Sequence, residues 1–300
     1  ATGQLNFTAL RQAAADPALA EALPLYVGLL IAALLLKAGA FPLFAWLPAA
    51  YHTLPAPQLA LVGGLLTKIA LYVLLRLTGQ VFDAAFLIDA LGWLAVITML
   101  SGVLGAAYHW DVRRILAFHI ISQIGYLLLG VALATPAAAA ATGFFLLHNL
   151  LVKANLLLIA GLIGLSAGHY DLRRVGGLYP LYPLLTQLFL FNALALVRVP
   201  PTSGFWGKYG LIAESFQQER YIWGGVALAT GLLTLYSMSK IWLEGFWKPH
   251  PDDAPTAPLP WPAWGAVAGL SLVILGIGLY PEPLLAFLQL HTQDFFGGGQ

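Results

Sequence analysis

Long apolar runs separated by short polar intervals organise this chain. A helix needs about 20 mostly apolar residues to cross the hydrocarbon of a bilayer. Eight stretches qualify: 24–46, 58–77, 84–108, 113–133, 137–165, 182–217, 221–247 and 260–280. The pattern predicts an all-α polytopic membrane protein of about eight transmembrane helices, some of them discontinuous. The sixth run is too long for one straight crossing, and Val199-Pro200-Pro201-Thr202-Ser203-Gly204 lies inside it. Proline removes an amide donor and clashes with the preceding turn, so Pro200 and Pro201 predict an unwound segment. Pro42 predicts a milder break in the first run. Residues 248–263, rich in Pro and Asp, read as an exposed loop. Residues 281–300 read as a short amphipathic or frayed tail ending in Gly297-Gly298-Gly299. The 300 residues read as a single transmembrane domain, with no soluble domain expected among them.

Composition agrees with lipid as the solvent. Apolar residues make up 60% of the chain and charged residues 9%, against about 25% charged in a soluble domain. A net charge of +1 gives no footprint for nucleic acid. With no cysteine, thiolate metal sites, disulfides and cysteine catalysis are excluded. Residues 1–22 are mixed and polar and do not read as a signal peptide. Arg113, Arg114, Arg173, Arg174 and Lys248 fall in loops on one side, against Arg11, Arg220 and Arg76 on the other. The positive-inside rule then puts the paired-arginine loops in the cytoplasm and both termini outside, in the plasma membrane.

The lysines change the picture from membrane protein to translocation path. Of six lysines, five lie within the apolar runs: Lys37, Lys68, Lys153, Lys208 and Lys240. A lysine at mid-membrane costs at least about 2.5–3.5 kcal/mol. Lys37, Lys68 and Lys153 are placed too deep in their runs to reach the headgroups easily. Desolvation disfavours the ammonium form, so a lysine in such a place can release and regain a proton. Lys240 differs, because Glu244 follows at i+4 and a plain ion pair explains it equally well.

The neighbours extend the path. His119, Ser122, Gln123 and Tyr126 fall on one face of the fourth run. In the fifth run Asn149 precedes Lys153 by one turn and His148 flanks it. Histidine titrates near neutrality and can pass protons. The alternative is that these groups hold helices together by hydrogen bonds. The breaks at Pro42 and at Pro200–Pro201 free backbone groups beside Lys37 and Lys208, and transporters bind ions at discontinuous helices of this kind. Arg198, next to the second break, reads either as a member of the site or as an anchor for freed carbonyls.

Four motifs carry a resemblance. They are Lys37-Ala-Gly-Ala-Phe-Pro-Leu-Phe-Ala-Trp-Leu-Pro48, Leu66-Thr-Lys68, Arg114-Ile-Leu-Ala-Phe-His-Ile-Ile-Ser-Gln-Ile-Gly-Tyr126 and Pro200-Pro-Thr-Ser-Gly-Phe-Trp-Gly-Lys208. In this order they resemble the antiporter-like membrane subunits, the family that joins Mrp-type sodium/proton antiporters to the proton-pumping subunits of respiratory complex I. The wording around Pro42, with His119, is most similar to the D-type subunits of the Mrp antiporters. The resemblance implies a fold of fourteen helices with two inverted five-helix repeats and a central polar axis. It implies that Lys37 is the lysine beside the break of the family's seventh helix and Lys68 the connecting lysine of the eighth. Lys153, with His148 and Asn149, matches the eleventh, and Lys208 the terminal lysine or glutamate of the broken twelfth. Asn149 departs from a position that is often histidine. On this correspondence residues 1–80 end the first repeat, 84–247 form the second, and 260–280 are the final helix. Six helices and a glutamate that faces Lys37 are then expected elsewhere.

The expected function is proton and cation translocation within a multi-subunit sodium/proton antiporter, with other membrane subunits, lipid, sodium ions and protons as partners. The alternatives are a proton-pumping, non-redox subunit of an NADH:quinone oxidoreductase, or an assembly scaffold that translocates nothing. No residue set suggests a cofactor, and no acidic cluster inside a helix marks a metal site.

Overall fold

The computed structural model describes every residue except 1, 5, 20, 82–84, 250–257 and 297–300. Half of the expected 248–263 loop, residues 250–257, and the Gly297-Gly298-Gly299 terminus therefore lie outside the described residues. Among those described, the chain is helical and contains no strand beyond an isolated bridge between Asp111 and Asp171.

A short surface helix comes first, α1 (Phe7–Ala14), where the Asn6 side chain accepts the Thr8 amide. Next come α2 (Leu23–Ala38), α3 (Trp46–Tyr51), α4 (Ala56–Gln80), α5 (Ala85–Tyr108), α6 (Val112–Leu133) and α7 (Pro136–Ala167). A single turn, α8 (Leu178–Leu181), leads to α9 (Pro183–Val197), α10 (Ser203–Gln217), α11 (Tyr221–Ile241), α12 (Trp261–Leu279) and α13 (Glu282–Phe296). Six of these segments are long and apolar enough to cross a membrane, and α2 and α9 are shorter apolar helices. With α9 and α10 as the two halves of one interrupted crossing, the eight expected spans are present.

Local chemistry explains the boundaries. Asp111 caps α6 by accepting the Arg113 and Arg114 amides. Thr135 caps α7 by accepting from Ala138, with Pro136 in the first helical position, where no donor is needed. Gly39 ends α2 in the left-handed conformation at φ 79°, open to glycine without a steric penalty.

Several expectations change here. The first crossing does not run helically to residue 46 with a mild bend at Pro42. It stops at Ala38, residues 39–45 run without helix, and α3 resumes the path. The left-handed Gly39 sets that stop three residues before the proline. Of the tail expected to be amphipathic or frayed, Glu282–Phe296 form the helix α13, packed against α7. The seventh crossing changes pitch, with Trp242–Trp247 wound as a π-helix.

The core is built around α6 and α7. Every residue of α6 is buried except Arg113, Arg114 and Phe118. Backbone contact makes this possible: a Cβ added at Gly102 of α5 would sit 2.6 Å from Ser122 Cα, and one at Gly125 of α6 would sit 2.6 Å from the Met99 amide. The long α7 packs against α4, α6, α9, α10, α12 and α13. Large apolar side chains such as Leu232 and Leu272 point outward, as lipid contact requires.

Candidate functional site

Most of the polar residues singled out in the sequence converge on the interior between α4, α6, α7, α10 and α11. Lys153 lies in the middle of α7 at 0% exposure, one of the largest fully buried side chains. Its Nζ has no hydrogen-bond partner among the protein atoms, and neither side-chain atom of Asn149, one turn earlier, has one. Lys68 is buried on α4 and donates from Nζ to the Gly63 carbonyl at 2.7 Å. Lys68 and Arg198 are buried in the same interior as Lys153. Like charges gathered in a low-dielectric interior repel strongly, so only the loss of a proton or a counter-charge relieves the group.

Two histidines flank this centre, each held by one ring nitrogen only. His148 Nδ1 is hydrogen bonded to Ser203 Oγ at 2.8 Å, across to the first residue of α10, while Nε2 is unpartnered. His119 Nε2 is hydrogen bonded to Ser237 Oγ of α11 at 2.6 Å, and its Nδ1 is unpartnered. Ser122 Oγ and Gln123 Oε1 of the same α6 face are also buried without a protein partner. An unmade bond on a buried polar group costs about 1–3 kcal/mol, and several such atoms lie in this interior.

The break between α9 and α10 supplies the next members. Arg198 caps α9 in a left-handed conformation at φ 77°, which costs a side-chain-bearing residue about 1–2 kcal/mol. The conformation sends the guanidinium inward, 4.4 Å from both the Tyr126 and the Phe145 ring centroids. Nε and one terminal nitrogen of Arg198 remain unpartnered. The two rings are neighbours, with centroids 5.5 Å apart, and the guanidinium rests against both of them. Tyr126 donates its hydroxyl to the Ala227 carbonyl of α11. Lys208, on α10, sits with Nζ 5.4 Å over the Tyr126 ring. Gly231 makes the room, since a Cβ there would collide with that Nζ. The peptides before Pro42 and before Pro201 are both cis.

Lys37 does not join the cluster within this chain. It lies in the last turn of α2 and is exposed, not deeply buried. Apolar Leu25, Leu29 and Leu36 are exposed on the same helix. Lys240 also departs from expectation, because its i+4 neighbour Glu244 instead forms an ion pair with Lys248 at 3.1 Å. The Lys240 ammonium donates to the carbonyls of Ala107 and His109 at 2.7 and 2.6 Å, capping the C-terminal end of α5.

Sequence reasoning missed two features. Asn155 of α7, Asn192 of α9 and Ser271 of α12 form one hydrogen-bonded knot, with Asn155 Nδ2 donating to Asn192 Oδ1 and to Ser271 Oγ, each at 2.9 Å. Asparagines inside apolar runs were the available signal. The second is the role of Ser203 and Ser237 as histidine partners, and nothing in a single serine marks it.

Residues 1–234 match the family described as NADH:quinone oxidoreductase/Mrp antiporter, TM. Over 248 residues, 82% of the chain, it is 40% identical to the D-type subunit of the Na(+)/H(+) antiporter of Alkalihalophilus pseudofirmus, covering 50% of that protein. Over 284 residues, 92% of the chain, it is 34% identical to the corresponding D-type antiporter protein of Bacillus subtilis, covering 57% of that one. In the solved Mrp complex from Dietzia sp. one chain superposes on 98% of this one with a TM-score of 0.88 at 31% identity, and 63% of that chain is covered. The chain thus spans about half the length of the curated relatives it matches.

Proposed function

Since this multi-pass membrane chain belongs to the NADH:quinone oxidoreductase/Mrp antiporter transmembrane family, we propose that it relays protons within a multi-subunit sodium/proton antiporter of the plasma membrane. One observation carries the reading: the fully buried Lys153, with no protein partner for its ammonium, stands among other buried titratable groups with orphaned atoms. The relay runs from Lys68 through Lys153 to His148, His119 and Lys208, with Gln123, Tyr126, Asn149 and Arg198 in support. The sodium/proton antiporter names of its relatives favour the antiporter over a quinone-reducing complex. Lys37 serves as the handover point to neighbouring helices of the assembly, where a membrane-embedded carboxylate faces it. Exposure of Lys37 beside an apolar helix surface supports such a covering neighbour. The paired-arginine loops face the cytoplasm, and both ends of this chain face outward.

The test is sodium/proton exchange per assembled complex in membrane vesicles. Lys208→Ala should remove exchange while leaving membrane insertion and assembly intact, because it deletes a relay charge at a half-buried site. Full exchange by Lys208→Ala would overturn the relay.

A further inference from the structure

His119 is tied to the outside of the bundle through α11. Its Nε2 is bonded to Ser237 Oγ at 2.6 Å, and the Ser237 hydroxyl donates to the Thr234 carbonyl at 3.0 Å. Lys240 follows Ser237 by three residues on the same helix face, about 4.5 Å further along the axis. Lys240 in turn lines a cavity of about 290 Å³, together with Ala107, Trp110, Tyr236, Ser239 and Glu244. One water needs only about 10–15 Å³ of such space, so a chain of waters fits. The cavity lies where α11 gives way to the π-helical turn Trp242–Trp247, next to the paired-arginine loops. Single π turns recur at functional sites. The ammonium of Lys240, 5.2 Å over the Trp110 ring, pins the end of α5 against α11 and so holds one wall of the cavity in place.

We propose that this cavity is the aqueous mouth of the relay on the paired-arginine face, joined to the interior by Ser237 and His119. The inference rests on the relay reading and adds an entrance to it. The transfer balances as follows. One proton arrives at the unpartnered Nδ1 of His119, and the Nε2 proton leaves to Ser237 Oγ. Ser237 turns its hydroxyl from the Thr234 carbonyl and gives that proton to a water, which spans the single turn to the cavity. The reverse order carries a proton inward. No net charge remains on the ring in either direction, and after an outward transfer a flip of the ring returns the N–H to Ser237 before the next proton arrives. Lys240 is a positioning residue in this scheme, and no proton passes through it.

The chain has no cysteine, so introduced thiols report without background. Ser239→Cys is treated with a membrane-impermeant thiol reagent from the paired-arginine face, in vesicles carrying the native assembly. Labelling is expected, with exchange falling about tenfold or more relative to the same variant before treatment. Leu232→Cys, on the outward apolar face at 71% exposure, should not react. Ser237→Ala should slow exchange by a similar factor, and Ser237→Thr, which keeps the hydroxyl, should restore it. Absence of labelling at Ser239→Cys, labelling without inhibition, or normal exchange in Ser237→Ala would each overturn the mouth. If Ser237→Ala does not assemble, the labelling arm decides alone. Lys208→Ala separates the two levels: inactivity there with a silent Ser239→Cys rejects the mouth and keeps the relay, whereas full exchange there rejects the relay itself.

Discussion

Replacing Lys153 with methionine should stabilise the protein while abolishing its activity. Methionine is close to lysine in length and volume, so no cavity opens in α7. The ammonium is fully buried and has no protein acceptor. On the lenient insertion scale a charged lysine at mid-membrane costs about 2.5–3.5 kcal/mol. An uncharged amine with no protein partner still costs about 1–3 kcal/mol. Lys153→Met should therefore gain about 1–3.5 kcal/mol, an upward shift on the order of 2–10 °C in thermal unfolding. Exchange in vesicles should fall to background, because a thioether neither binds nor releases a proton. The assay pairs an unfolding scan of the detergent-purified assembly with proton flux per molecule. A structural lysine behaves in the opposite way, with stability and activity falling together. A lower melting temperature in Lys153→Met would refute the relay assignment of this residue.

Three further outcomes are expected. Gly231→Ala places a methyl where Lys208 Nζ now lies; the flexible ammonium shifts away from Tyr126, so exchange should drop severalfold while yield and melting temperature hold. Gly102→Ala meets backbone instead, with its Cβ 2.6 Å from Ser122 Cα, so a loss of about 1–3 kcal/mol should appear as reduced abundance and a lower melting temperature. Lys37→Arg should insert and assemble normally yet carry no exchange, since arginine does not release its proton at physiological pH; transport at the parental rate in that variant would remove Lys37 from the path.

The sequence already outlined the crossings, because helix length and apolarity are imposed by the bilayer and need no tertiary knowledge. It also exposed Lys68, Lys153, His119 and His148, since an ionisable group in an apolar run stands out one residue at a time. It was silent where meaning depends on what lies across the interface. Lys240 and Glu244 have the spacing of an ion pair, yet the carbonyls at the end of α5 and the nearby Lys248 are better partners, and both come from tertiary placement. Pro42 drew attention as a breaker, while the stop at Gly39 needs a backbone conformation that the letter alone leaves open. Lys37 sits in an apolar run and still faces outward, because a run of leucines does not say whether it meets lipid, its own chain or a neighbour. The knot of Asn155, Asn192 and Ser271 joins three helices distant along the chain, and no local pattern links them.

The burial of α6 on nearly every side bears on how the protein is made. A membrane helix leaves the insertion machinery into lipid, and lipid cannot satisfy His119, Ser122 or Gln123. On its own α6 is a poor guest in the bilayer, although its finished surroundings suit it. The glycine notches at Gly102 and Gly125 let α5 and α6 close backbone to backbone as a hairpin, which brings α6 one shielding neighbour as soon as it emerges. α7, α10 and α11 arrive later in the chain to cover the rest. Biogenesis therefore passes through an interval in which His119, Ser122 and Gln123 still face the membrane rather than their finished surroundings.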